Sequence, residues 1–368
     1  MTKQRELRGL NFEALKRWVT EELGEKPYRA QQIFAWLHQR GARDFSAMTD
    51  LGKAVRERLN TIARIDNLKL EKMHEASDGT RKYRFEALGG ESIETVFIPR
   101  ASSDKRHTLC VSSQVGCAMG CTFCLTGRSG LIRNLTAAEI LSQVTEARHD
   151  VEKDGLRITN IVFMGMGEPL HNLKHVLPAL ENLCHDRGFG LSTRRVTVST
   201  SGLIPQIRKL GERIPVQLAV SLNGPDDALR SEVMPVNERW NLKDLIAACR
   251  AYPLGRRRRI TFEYVVMAGL NDKKEHAEKV AKLLKGMPAK VNLIPFNPHP
   301  GSLYKRPTRA QVESFQSVLR ERGVQALIRH TRGDEVLAAC GTLSDVDYDP
   351  VAEQIRAQAR EAIQAIVD

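Results

Sequence analysis

The sequence predicts an α/β fold: a partial (β/α)6 barrel, preceded by a helical accessory module and joined to it by a short β-ribbon. Three observations lead there. From about residue 107 onward, short apolar runs rich in Val, Ile and Thr take turns with amphipathic stretches six times, the pattern of a parallel sheet with crossover helices. Residues 68–100 instead alternate with a period of two and turn at "SDGT". Residues 11–60 carry apolar side chains at intervals of three and four, as helices do.

In chain order, "FEALKRWVTEEL", "RAQQIFAWLHQR" and "LGKAVRERL" read as three helices. Gly24 and Gly41 are stops for the first two, and Thr49 or Asp50 caps the third. The ribbon is "LKLEKMHEASDGTRKYRFEAL" followed by "SIETVFIP". Barrel strands are "HTLCVS", "ITNIVFMG", "RVTVST", "VQLAVSL", "ITFEYVVM" and "KVNLIPF", with helices such as "TAAEILSQVTEARHDV", "NLKDLIAACRAY" and "DKKEHAEKVAKLLKG" between them. Eight repeats would need more chain, so an open or partial barrel fits better. "VQALIRH" can add one more strand, and "VAEQIRAQAREAIQAIV" reads as a terminal helix. The expected division is 1–65 helical module, 66–104 ribbon linker, 105–345 barrel and 346–368 C-terminal helix. In such a barrel, functional groups gather where the parallel strands end.

Composition excludes several classes. Charged residues make up 27% and hydrophobic residues 42%, as in an ordinary globular protein, and no apolar run reaches the length of a membrane span. The start, "MTKQRELRGL", has no apolar segment behind its charges, so the expectation is no signal peptide, no membrane partner and a cytoplasmic location. Seven cysteines in such a chain favour metal binding or redox chemistry over a disulfide framework. A net charge of +12 points weakly to a polyanion such as RNA or DNA.

"CAMGCTFC" places Cys117, Cys121 and Cys124 at spacings of four and three, in the loop after the first barrel strand. Zinc sites usually recruit four protein ligands as two close pairs. Here there is one trio, and the next cysteine, Cys184, falls in a predicted helix. Iron–sulfur clusters are held mainly by thiolates, and a four-iron cluster held by three of them keeps one iron open to an outside ligand. Other strand ends are polar. "FMGMGEP" supplies Gly165, Gly167 and Glu168; "TVSTSG" supplies Ser199; "VSLNGP" supplies Ser221, Leu222 and Asn223; "IPFNPHPG" supplies Asn297. The glycines let a ligand approach the backbone closely, and Glu168 reads either as an acceptor for a ligand ammonium or as a helix-capping acid. Each group alone is common turn chemistry; their shared position is what suggests a site. Cys184 and Cys249 read as helix-packing residues. Cys110 and Cys340 read, from composition alone, as small buried hydrophobes.

The motifs together are more specific. The spacing of the three cysteines, with an aromatic before the last, resembles the radical S-adenosylmethionine (SAM) superfamily. "CVSSQVGCAMGCTFC", "RNLTAAEI", "MGMGEPL", "VTVSTSG", "SLN", "PFNPHPG" and "RGDEVLAACGTL" are similar to the radical SAM adenine methyltransferases of large-subunit ribosomal RNA, nearer the C2-methylating RlmN branch than the C8-methylating Cfr branch. The resemblance runs through most of the chain and implies a [4Fe–4S] cluster on Cys117, Cys121 and Cys124. It also implies SAM held by Gly167, Glu168, Ser199, Ser221, Leu222, Asn223 and Asn297, and two SAM per turnover. Cys340 would take a methyl group from the first SAM as S-methylcysteine, the thiolate being a good nucleophile. The second SAM would yield the 5′-deoxyadenosyl radical that activates this methyl for addition to C2 of adenine. Release would need a base and a resolving thiol, which the resemblance places on Glu94 and Cys110, leaving a transient Cys110–Cys340 disulfide. Composition does not choose Glu94 over Glu91; the motif "IETVFIP" does.

The implied partners are protein-free 23S rRNA, a tRNA with an anticodon-loop adenosine, and an electron donor such as flavodoxin or ferredoxin, with the enzyme a monomer. "GRRRR" at 255–259, "RNL" at 133–135, "STRR" at 192–195 and Lys16, Arg17, Lys26 and Arg29 are the basic groups available for phosphate. The competing readings are C8 methylation by the same mechanism, a zinc-dependent RNA-binding protein without activity, and a radical enzyme with a small-molecule substrate.

Overall fold

The protein is described by a computed structural model, in which residues 4–100, 106–299, 301–329, 332–333, 336, 338 and 341–343 are placed. The expected terminal helix and Cys340 lie outside the described residues.

The N-terminal module is built from α1 (Phe12–Glu21), α2 (Tyr28–His38) and α3 (Lys53–Ile62), tied at its base by β1 (Arg5–Glu6) pairing in parallel with β2 (Ala63–Arg64). Asn11 caps α1, its side-chain oxygen accepting from the Ala14 N–H. Gly24 and Gly41 both take left-handed backbone (φ 73° and 66°), as helix stops do. The cap expected for α3 is not Thr49 or Asp50. The cap is instead Gly52, two residues after Asp50, and Asp50 Oδ1 is taken by the Trp36 indole N–H at 2.6 Å. The module has its own core around Leu15, Ile33, Phe34, Leu37 and Leu59.

A ten-stranded sheet follows. Its antiparallel part is β3 (Lys69–Glu75), β4 (Arg81–Glu86) and β5 (Ser92–Ile98), which pairs with β6 (His107–Cys110). Seven parallel strands continue it: β6, then β9 (Ile158–Phe163), β10 (Val196–Thr200), β11 (Gln217–Ser221), β12 (Ile260–Val266), β13 (Ala289–Pro295) and β14 (Gln325–Ile328). The additional strand suggested by "VQALIRH" is β14. Between β6 and β9 the chain inserts a small antiparallel ribbon, β7 (Gln114–Gly116) with β8 (Leu131–Asn134), and the short α4 (Leu125–Arg128) between them.

Crossover helices are α5 (Ala137–Val151), α6 (Leu173–Cys184), α7 (Ile204–Arg213), α8 (Asp227–Val233), α9 (Leu242–Ala251), α10 (Lys274–Leu284) and α11 (Arg309–Glu321). Caps fix several of their starts: Thr136 and Glu139 form a reciprocal capping box on α5, and Thr308 with Gln311 on α11. Buried aliphatic side chains such as Leu141, Ile161, Val198, Leu218, Val220, Phe262 and Val291 fill the layer between helices and sheet. The helical module packs on α5 and α6. Asn11 Nδ2 donates to Glu181 at 2.6 Å, Asn182 Nδ2 donates to the Leu10 carbonyl, Phe12 and Phe34 meet the His185 ring, and Arg43 pairs with Glu146. No helix among the described residues is long and apolar enough to cross a membrane.

Candidate active site

The ends of the parallel strands open into one cleft. Cys117, Cys121, Cys124, Gly167, Glu168, Ser199, Ser221, Asn223 and Asn297 all line it. Residues spread over 180 positions are therefore brought together by the β/α repeat, as the strand-end argument requires. Three candidates stand elsewhere. Leu222 is fully buried beneath the cleft, while Glu94 and Cys110 sit on β5 and β6.

The cysteine loop is closed at its base by the β7–β8 ribbon. The Cys117 N–H donates to the Gly130 carbonyl at 2.7 Å, and a Cβ on Gly116 (φ 72°) would lie 2.0 Å from that oxygen, so only glycine fits. The last cysteine, Cys124, is the residue from which α4 starts. The described stretch 341–343 docks here: the Leu125 N–H donates to the Gly341 carbonyl at 2.9 Å, and the Thr126 hydroxyl to the Leu343 carbonyl. Burial, with the neighbouring thiols adding to it, pushes the Cys117 and Cys121 thiols up from their ordinary range. A bound cation reverses that, because a coordinating thiol is deprotonated outright. Among the described residues no three Cys, His, Asp or Glu side chains close on a single ion. Cys117, Cys121 and Cys124 line the same cleft, and three thiolates are the protein ligands of a four-iron cluster that keeps one iron open.

Glu168 is 4% exposed. Its Oε1 accepts from the Leu170 N–H at 3.1 Å and its Oε2 from the Ser201 N–H at 2.7 Å, which bridges the β9 and β10 ends. Burial raises its pKa although these bonds oppose the rise. This acid thus ties backbone at two strand ends and lines the cleft. The adjacent glycines serve the chain as well as any ligand. A Cβ on Gly165 would meet Ser112 Oγ at 2.7 Å, and one on Gly167 (φ 95°) would meet Gln114 Cβ at 2.4 Å. Asn223 is also committed locally: it is left-handed (φ 51°), and its Oδ1 accepts from the Val265 N–H at 2.8 Å.

Arg230 was not foreseen. It is fully buried under the cleft, donating to the Leu222 carbonyl at 3.1 Å, the Ser201 carbonyl at 2.6 Å, the Ser221 carbonyl at 3.2 Å and Asn237 Oδ1 at 2.8 Å. It thus cross-ties the ends of β10 and β11; burial lowers its pKa to about 10. Glu263 was also missed: it lies 6% exposed in β12 and lines the cleft. A carboxylate amid the apolar run "ITFEYVV" was the available signal.

Glu94 is 2% exposed, and Lys82 Nζ lies 2.8 Å from its Oε1. Glu91 is different: Arg133 pairs with it at 2.9 Å and holds its pKa below the ordinary range. Arg133 also binds Glu139 at 2.8 Å, so the "RNL" cation is engaged inside the fold. Val96 is the register partner of Cys110, and Glu94 lies two residues along on the same face. Among the described cysteines, Cys117, Cys121, Cys184 and Cys249 are free thiols.

A second cavity shares Ile294, Asn297 and Arg329 with the first. Arg100, Arg106, Lys290 and Arg332 line it, together with Thr108, Asn292 and Ala338. The arginines of "GRRRR" join Arg194 at the opposite ends of the strands, where Arg258 donates to the Pro215 carbonyl and to Thr193 Oγ1.

Comparison with known proteins agrees with this geometry. The model of the ribosomal RNA large subunit methyltransferase N-terminal domain matches residues 5–65, and that of the radical SAM superfamily matches residues 111–284. A dual-specificity RNA methyltransferase RlmN of Pelobacter propionicus is 48% identical over 344 residues, covering 93% of this chain and 96% of that one. The protein of that name from Syntrophobacter fumaroxidans is 49% identical over 329 residues, covering 89% and 95%. The crystal structure of a radical SAM methyltransferase from Sphaerobacter thermophilus matches with a TM-score of 0.86 at 43% identity, over 92% of this chain and 98% of that one. The cofactors that go with these matches are a [4Fe–4S] cluster and SAM, and a cleft with three thiols at one side and hydrogen-bonding strand ends at the other fits both.

Proposed function

We propose, from the premise that this chain belongs to the RlmN family of radical SAM RNA methyltransferases, that it methylates C2 of an adenosine in protein-free 23S rRNA, and of a tRNA adenosine, in the cytoplasm. The observation that carries this reading is the pair of joined cavities. Gly341, next to Cys340, lines the cavity of the cysteine trio; Ala338, two residues before Cys340, lines the basic one. These two sequence neighbours support a reading in which the methyl carrier at position 340 serves both a methyl donor and a substrate whose phosphate backbone suits the cationic cavity.

C2 of adenine offers no usefully acidic hydrogen and no nucleophile, so ordinary transfer from SAM fails there. Cys117, Cys121 and Cys124 would hold the cluster, which would supply the one-electron chemistry that SAM cleavage needs. The chain supplies the rest. The Cys340 thiolate accepts a methyl group and later carries the adduct with the base. Glu94, buried beside Lys82, takes the C2 proton. Cys110, across the β5–β6 ladder on the same face, attacks the Cys340 sulfur and frees the product as a disulfide forms. A reductant then restores the two thiols with two electrons and two protons, and an electron donor such as flavodoxin or ferredoxin serves the enzyme. The target adenine must be unstacked to reach this site, which favours RNA not yet covered by protein.

Peptide mass spectrometry of Cys340 and nucleoside analysis of treated RNA test this. A single methyl on Cys340 and 2-methyladenosine in the RNA are expected. Exclusive 8-methyladenosine would transfer the chain to the C8 reading, and an unmodified Cys340 in cluster-loaded protein given SAM would end the methyl-cysteine mechanism.

A further inference from the structure

Glu263 has one carboxylate oxygen committed and one waiting. Oε1 accepts from Asn292 Nδ2 at 2.9 Å, whereas Oε2 is buried and has no hydrogen-bond partner. The side chain is 6% exposed and lines the same cleft as the cysteine trio. A buried acceptor left without a donor is costly, so a fold that keeps one facing a cleft keeps it for a donor that arrives with the ligand.

The position of Glu263 says which donor. The sheet runs β6, β9, β10, β11, β12 from the cysteine loop outward. Glu168 follows the second of these strands, whereas Glu263 lies on the fifth, in register with Ser221 of β11. If the amino-acid end of SAM meets the cysteine side, its nucleoside end points toward β11 and β12. The ribose there offers two adjacent hydroxyl donors, and a carboxylate is the usual acceptor for ribose hydroxyls in nucleotide sites. We infer that Glu263 is a SAM-binding residue, with Oε2 accepting a hydrogen bond from the ribose hydroxyls while Asn292 holds the other oxygen. This rests on the SAM-dependent reading of the cleft and names a residue beyond the polar strand ends already assigned to SAM.

Burial pushes the Glu263 carboxyl up, while Arg329 and Asn292 pull it back. In the ligand-free protein this acid is therefore a burden on the fold at neutral pH, the mark of a group held for binding rather than for stability.

Equilibrium dialysis of SAM, 2′-deoxy-SAM and 3′-deoxy-SAM against cluster-loaded full-length protein tests the inference. Wild type, Glu263→Ala and Glu263→Gln are compared. E263A is expected to weaken SAM binding ~10-fold or more. At least one deoxy analogue should bind wild type similarly weakly, with little further loss in E263A. A deoxy penalty of the same size in wild type and variant, or unchanged SAM affinity in E263A, would overturn the assignment. E263Q carries the same comparison should E263A fold poorly; its ligand-free thermal midpoint is expected to be no lower than wild type, and a clear drop would mark a structural role. Failure here leaves SAM cleavage and the methylated nucleoside intact, so it is distinct from failure of the methylation reading.

Discussion

Gly167→Ala isolates the link between the loop after β9 and cofactor binding. The added Cβ would lie 2.4 Å from Gln114 Cβ and 2.7 Å from its Cγ. Gln114 cannot simply retreat: its Oε1 accepts from the Glu168 N–H at 2.7 Å, and its Nε2 donates to Asn134 Oδ1 at 2.7 Å. Two costs add. Left-handed backbone at a non-glycine residue costs about 1–2 kcal/mol, and forcing a methyl into packed structure costs about 1–3 kcal/mol. The sum is about 2–5 kcal/mol. Gly155→Ala is the control, because Gly155 has a similar backbone (φ 71°) and nothing within 4 Å of its would-be Cβ. It should show only the first cost. Urea unfolding of both variants reads the difference, and SAM dialysis reads the consequence for Glu168, whose backbone amide loses its anchor. G167A should lose both stability and SAM affinity, whereas G155A should lose a little stability and no affinity. Equal losses in the two variants, or a G167A protein that binds SAM as wild type does, would refute the reasoning.

Two further outcomes are expected. Glu139 is almost fully buried, and although burial raises its pKa most, the Arg133 guanidinium and the Thr136 and Leu88 N–H groups outweigh it and the net shift is downward. Its ionised form therefore contributes stability above the unfolded-state pKa of about 4.3, and that contribution is lost as pH falls through the lower folded value. Glu139→Gln should cost about 1–3 kcal/mol at pH 7, with the gap to wild type narrowing below pH 4 in an acid-unfolding series followed by circular dichroism; a gap that stays constant with pH would deny the ionic origin. The basic cavity should bind RNA through phosphate, so Arg106→Gln combined with Lys290→Gln should flatten the plot of log affinity against log salt by about 0.7–0.9 per cation, and an unchanged slope in filter-binding titrations would move the RNA path elsewhere.

How much of this was legible in the sequence depended on whether the signal was local. The helices of the module and the parallel strands announced themselves because each carries its own pattern, and strands such as Gln217–Ser221 and Ile260–Val266 are mostly apolar and largely buried on both faces. The strand-end polar groups could be assembled into one cleft without coordinates, since the β/α repeat alone puts them at one end. What stayed hidden depends on pairing across long separations. The β7–β8 ribbon has strands of three and four residues, too short for any period. The start of α3 was misjudged because Asp50, a good cap by type, is claimed by Trp36 from another helix. Glu263 and Arg230 carry charges that composition assigns to solvent, and only the assembled sheet shows both of them buried at the cleft.

The register between β5 and β6 decides where the proposed base and resolving thiol stand. Side chains alternate across a strand, so a one-residue slip would turn Glu94 toward the helices and Thr95 toward the opposite face. The helix side carries a buried polar clamp against that slip. Thr95 Oγ1 donates to Gln143 Oε1 of α5 at 2.7 Å, the Ser112 N–H donates to the same oxygen at 2.8 Å, and Gln143 Nε2 returns a bond to the Ser112 carbonyl at 2.9 Å. One glutamine thereby joins β5, the end of β6 and the first crossover helix, with both ends of its amide used. A slipped register would leave these groups buried and unpaired, at about 1–3 kcal/mol each. The polar groups on the back of the sheet thus hold Glu94 and Cys110 on one face at the front. The antiparallel strands before the barrel are accordingly part of the site's construction, because the acid assigned to proton removal is placed by their pairing with the first parallel strand.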